Sequence, residues 1–395
     1  MTKRRSSAQD IAKGLMIIGV VFFHCYIETF ENHGESVTTF NPLVACFPFI
    51  LSVFFFYAGY NYRGNGRTYG QNIARRAKQL LIPLVLAFLL STVLISSMEL
   101  IFHRDNPGAT FQAIGNSVLY FLMSEPLALM IGFPQSGGIV FELMLSLCLL
   151  WFLYALFLCS LLFYWLVKYT NKSLPTLVSV VTGLLVIGFC LGQFVGNYLP
   201  YQVEAYPVIL SIMLVAAYLR KFDFLDRPIA DKKGLAFTIA NAVIAEGLIA
   251  GTALFLHFKV GTMTAGAMPG GQFDPAIMGF DAILSFAFGI LGVYFIHTLG
   301  RGIAMIPVVG ACLQWVGKRS ALFYLFHPIF LELSAIVIFQ KKVPWGRAQA
   351  FFYLFVVIAL MVLAFLLIEL LVRKIKKKKE SAEAIAGQTE DGLQG

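Results

Sequence analysis

IAKGLMIIGVVFFHCYIETF, residues 11–30, is long and apolar enough to cross a bilayer as one helix, yet it carries Lys13 and His24. A charged or titratable side chain inside a membrane costs a few kcal/mol on insertion scales, so it faces protein or a water-filled cavity rather than lipid. Lys13 and His24 are eleven residues apart. At about 100° per residue that separation closes to within about 20° of three full turns, and at 1.5 Å per residue it spans about 16 Å. The two side chains therefore share one face, a cation toward one membrane surface and an imidazole past the midplane.

The rest of the chain has the same character. Of 395 residues, 58% are hydrophobic, only 13% are charged, and 38 are Phe, a composition far more apolar than that of a soluble protein of this length. Apolar runs predict spans near 11–30, 44–62, 80–102, 140–167, 174–199, 205–219, 235–257, 277–299, 320–339 and 348–372. The expected fold is an all-α membrane protein, a polytopic bundle of about ten transmembrane helices. An even number of spans puts both termini on one side. Of the 30 Lys and Arg, only Arg104, Lys259, Lys341, Lys342 and Arg347 fall on the opposite side. The positive-inside rule then predicts that both termini are cytoplasmic in a cell membrane. This asymmetry accounts for the net charge of +9 without a nucleic-acid partner, and the Lys376–Lys379 run suits anionic lipid headgroups.

One domain is expected over residues 1–379, followed by a polar, disordered cytoplasmic tail over 380–395. The basic N-terminus and first apolar run resemble a signal peptide, but no small-residue cleavage pattern follows His24, so a retained first helix is expected. Two outer loops stand out. Residues 103–138 contain a short apolar piece at 119–133, and the Gly-rich residues 259–275 read as either a lid or a plain connection. The six cysteines, Cys25, Cys46, Cys148, Cys159, Cys190 and Cys312, fall in or beside spans with no C-x-x-C pair. They are expected to be small buried apolar residues, with no metal site and no disulfide framework.

Five stretches in order resemble the membrane acyltransferase-3 family, integral-membrane O-acyltransferases that modify surface glycans. Asp10-Ile-Ala-Lys13-Gly14 followed by His24 is similar to the family's first helix, a basic residue and a His separated by ten residues. Phe54-Phe-Phe-Tyr57-Ala58-Gly59-Tyr60 is similar to its Phe-Phe-x-x-Ser-Gly-Tyr helix end, with Ala58 in place of Ser. Arg75-Arg76-Ala-Lys78 before Leu81-Ile-Pro83 resembles its basic cluster ahead of a Leu-x-Pro helix start. Lys78 stands where Arg is common, which keeps the charge and loses the bidentate fork. Leu150-Trp151-Phe152-Leu153 and Ser320-x-x-x-Tyr324-Leu-x-His327-Pro328 complete the set, and the Asp-x-x-Lys-Gly start particularly resembles the sugar O-acetylase branch. The expected architecture is the membrane domain without the extracellular esterase-like domain that some relatives carry.

The resemblance implies transfer of an acyl group, most simply acetyl, from acyl-coenzyme A to a hydroxyl of a cell-envelope or exported glycan or a lipid-linked sugar. Acetyl-coenzyme A would be a donor substrate, with no permanently bound cofactor. His24 is implied as the base that takes the hydroxyl proton, because imidazole titrates near neutrality; a core histidine with its hydrogen bonds satisfied is the plain alternative. Glu28, one turn on, would fix the imidazole tautomer or else point to water. Lys13, Arg75, Arg76 and Lys78 would hold the donor's phosphates, the last three also serving as topology determinants. Trp151 would stack on a sugar ring or adenine, or simply pack. His327 would form a second polar wall, or Pro328 merely a kink. Glu142, Glu246, Asp281, Glu332 and Glu369 are further charges near spans, of which one or two are expected to line the cavity. A transporter or flippase of a lipid-linked sugar or polysaccharide fits ten spans with midplane charges too, although no repeat or pair of matched broken helices is present. The acceptor sugar, the position acylated and the oligomeric state are not encoded in any motif.

Overall fold

The computed structural model describes residues 7–31, 49–63, 66–102, 151–194, 200–225, 232–260, 278–337, 352–371 and 373–374. Every element among them is helical: α1 Ser7–Glu31, α2 Ser52–Tyr60, α3 Tyr69–Phe102, α4 Trp151–Thr170, α5 Leu174–Phe194, α6 Tyr206–Leu219, α7 Lys232–Val260, α8 Met278–Ile303, α9 Pro307–Lys318 and α10 Ser320–Val337. An eleventh helix, α11, covers Phe352–Leu371. Six helical stretches are long and apolar enough to cross a membrane: Ser7–Cys25, Phe152–Thr170, Leu174–Phe194, Val203–Phe222, Ala282–Ile303 and Phe352–Leu371. The other four expected spans coincide with the short α2, with α3, and with the shorter apolar stretches Ala236–Thr252 and Ser320–Leu331. The outer loop 103–138, most of 259–275, Cys46, Cys148 and the tail lie outside the described residues.

Local sequence explains the helix starts. Thr68 and Gln71 form a reciprocal cap: the Gln71 amide donates to Thr68 Oγ1 at 3.3 Å, and the Thr68 amide donates to Gln71 Oε1 at 3.1 Å. That cap starts α3 at Tyr69, well before the apolar run, so Pro83 lies inside the helix and not at its beginning. The expectation of a basic cluster ahead of a helix start is thereby corrected: Arg75, Arg76 and Lys78 are helical residues. Ser173 Oγ accepts from the Thr176 amide at 3.2 Å and starts α5. Pro307 opens α9, where a missing N–H leaves nothing unsatisfied.

α6 is the centre of the bundle, packed by α2, α4, α5 and α8 and buried along most of its length. α5 and α11 are the reverse. Only 11% and 17% of their apolar windows are buried, and side chains such as Val186, Phe355 and Leu371 face outward. In water such faces would drive aggregation; in a bilayer they are the lipid-facing surface. The cysteines divide the same way. Cys25 and Cys159 are buried as expected, whereas Cys190 and Cys312 are exposed, because an exposed helix face in lipid accepts a thiol as readily as a core does.

α1 packs most extensively against α9, a helix absent from the expected spans. Glycines make the approach possible. A Cβ on Gly14 would run into the Leu313 carbonyl oxygen, and one on Gly317 into the Asp10 carbonyl oxygen. Small residues let two membrane helices meet backbone to backbone, which gains dispersion contacts where no hydrophobic drive exists. The contact holds the Lys13 end of α1 in place. Gly59 does the same for α2, pressed on the backbone of Met213 in α6.

Candidate active site: a cationic cavity beside two stacked histidines

A cavity of about 720 Å³ opens among α1, α2, α3, α4, α6 and the α9–α10 junction. On α3 its lining residues are Asn72, Arg75, Arg76, Gln79 and Leu80, a spacing of three and four that is one helix face. Lys78 falls off that face, is exposed, and does not line the cavity. Lys13 of α1 does line it, as expected. Four further cations join these: Arg63 and Arg67 from the α2–α3 connection, Arg220 at the end of α6, and Lys318 at the end of α9. Among the described residues, the lining contains no Asp or Glu. A cavity of this charge and size suits an anionic small molecule with several phosphates.

The cations are braced by aromatic rings. Lys13 Nζ lies 5.4 Å from the Tyr57 ring centroid, and the Tyr57 hydroxyl is hydrogen bonded to His297 Nδ1 at 3.0 Å. Arg76 Nε donates to the Tyr164 hydroxyl at 2.9 Å. Arg220 Nη1 donates to the Tyr60 carbonyl at 2.8 Å, with its guanidinium 5.4 Å from the Tyr60 ring centroid. A ring face or phenol attracts a cation, so these contacts position the groups at the cavity.

Beyond the cavity wall lie the two imidazoles. His24 and His327 are buried and stacked, ring centroids 5.1 Å apart and 26° from parallel. Neither lines the cavity; Tyr324 does, and its ring is 5.7 Å from that of His327. Pro328 has a specific effect here. With no N–H of its own, it leaves the carbonyl four residues back, that of Tyr324, without its helical donor. His327 Nδ1 fills the vacancy at 2.7 Å. A carbonyl only accepts, so Nδ1 carries the proton and Nε2 presents a lone pair. That Nε2 is buried and has no hydrogen-bond partner among the described residues.

Of the expected site residues, Lys13, Arg75 and Arg76 are brought to one cavity, and His24 and His327 to one stack. Glu28 lies on α1 and Trp151 opens α4, but both side chains fall outside those described, as do those of Glu142, Asp281 and Glu332. Glu246 and Glu369 do not line the cavity; Glu369 pairs with Arg319 at 2.7 Å. Sequence reading missed Arg63, Arg67, Arg220 and Lys318 as site residues, having assigned them to topology alone. It also missed His297, whose partner is 240 positions away and has no local signature.

Together these features define a helical integral-membrane protein with a cation-lined cavity set against a buried imidazole pair. The chain belongs to the acyltransferase 3 family: the family's model, an acyltransferase domain, matches residues 7–369, nearly the whole chain. Neither a curated protein nor a solved structure matches it.

Proposed function

We propose that this protein is an O-acyltransferase that moves an acetyl group from cytoplasmic acetyl-coenzyme A to a hydroxyl of a cell-envelope or exported glycan. The observation that carries this reading is the carboxylate-free cationic cavity joined through Tyr324 to the His24–His327 stack. Lys13, Arg75 and Arg76, with Arg63, Arg67, Arg220 and Lys318, hold the phosphates of the donor, whose pantetheine arm runs toward His24. His24 takes the proton of the acceptor hydroxyl as that oxygen attacks the thioester carbonyl. The C–S bond breaks, and the departing thiolate takes the proton back from the imidazolium. His327 Nε2 accepts a hydrogen bond from the acceptor, and Glu28 and Trp151 keep the supporting roles implied by the family resemblance. The bundle comprises about ten spans over residues 1–379 with both termini in the cytoplasm, and residues 380–395 are a tail.

Membranes containing the protein, supplied with labelled acetyl-coenzyme A, are expected to label glycan, and His24→Ala to abolish that labelling. Unchanged glycan acetylation in a deletion strain would overturn the reading. Label trapped on His24 would replace direct transfer with an acyl-histidine route.

A further inference from the structure

Two buried aromatic rings stand side by side in the cavity lining. They are Phe152 of α4 and Tyr324 of α10, 4% and 5% exposed. Their centroids are 5.2 Å apart and the rings are tilted by 59°. At that separation the ring edges are in van der Waals contact. Phe152 packs against Phe55 at 4.6 Å and against Phe54, itself a lining residue, at 5.7 Å. Tyr324 is fixed in turn by α10, where the His327 ring sits 5.7 Å away. Tyr324 both lines the cavity and contacts the imidazole pair, so on the acyltransfer reading the thioester end of a donor running toward His24 meets these two rings.

We propose that Phe152 and Tyr324 set the length of the acyl group this protein transfers, accepting acetyl and rejecting longer chains. The inference rests on the acyltransfer reading above. An acetyl group adds one methyl beyond the reacting carbonyl, which fits against the ring pair. A propionyl or butyryl group needs volume that the Phe152 ring occupies, and that ring, held by Phe54 and Phe55, has nowhere to retreat. Overpacking a well-filled apolar wall is penalised, and one methylene of misfit at such a wall discriminates by about 10- to 200-fold.

The test supplies membranes containing the full chain with labelled acetyl-, propionyl- or butyryl-coenzyme A at equal concentration and counts label entering glycan. The wild type is expected to favour acetyl over butyryl by at least about tenfold. Phe152→Ala is expected to raise the butyryl-to-acetyl ratio by about tenfold. Phe152→Leu, which keeps most of the packing, is expected to raise it less and carries the test if the alanine variant does not accumulate. Equal transfer of all three groups by the wild type, or an unaltered ratio in both Phe152 variants while acetyl transfer persists, overturns this inference alone. No label from any donor overturns the acyltransfer reading and this inference with it.

Discussion

The two ends of α1 hold polar side chains in opposite ways. At the Lys13 end, seven cations from five parts of the chain line one open cavity, where the proposed function has them hold the donor together. At the His24 end, a single imidazole lies against one other in an otherwise apolar wall. Charge at the mouth is distributed, so removing one member leaves the others acting at slightly greater distance. Proton transfer at the inner end has no such reserve. Loss of function should therefore be graded at one end and near-complete at the other.

The largest effect is expected for His24→Ala. Removing a general base lowers kcat by about 10²- to 10⁴-fold, and the KM for acetyl-coenzyme A should stay near the wild-type value. A variant that instead lost donor affinity would break the contrast between the two ends. Next in size is Lys13→Met or Arg76→Leu. Each is expected to raise the donor KM about tenfold, the worth of one charge-assisted hydrogen bond, with kcat nearly unchanged. Lys78→Ala is the matched control, expected to change KM by less than about twofold because its side chain is off the lining face. Raising ionic strength from about 0.05 to about 0.5 M should raise the donor KM several-fold while sparing kcat, since screening acts on the open end only. Smallest is Pro328→Ala. Restoring the amide hydrogen lets the Tyr324 carbonyl recover its helical partner, in competition with His327 Nδ1. The expected result is a few-fold loss of kcat, with thermal stability in detergent equal to or above that of the wild type.

Much of this arrangement was legible in the sequence, and the reasons differ by region. Long apolar runs identify membrane helices because lipid demands them, and Lys13 and His24 stand out because each is costly there. The Arg75–Arg76 pair was legible as a cation site but not as a helix face, because the cap that starts α3 is a Thr68–Gln71 exchange hidden behind a proline-marked apolar run. α9 was invisible for a different reason. It is twelve residues long, too short to register as a span, and its packing relies on glycines that read as breakers in a single sequence. Arg220 and Lys318 look like every other cation at a span end until tertiary packing turns them toward one cavity. The Tyr57–His297 bond could not be anticipated from spacing at all.

The glycine contact between α1 and α9 bears on how the protein comes into being. Gly14 is made some three hundred residues before Gly317, yet the two helices meet backbone to backbone. The first helix therefore resides in the bilayer, with its lysine and histidine, long before its principal neighbour exists. The cavity can close only when the last third of the chain is threaded in, so a ribosome stalled before that point leaves a membrane-anchored but incomplete scaffold. The costly polar stripe of α1 must be tolerated through that whole interval, which makes the first helix a natural client for any factor that shelters half-built membrane proteins.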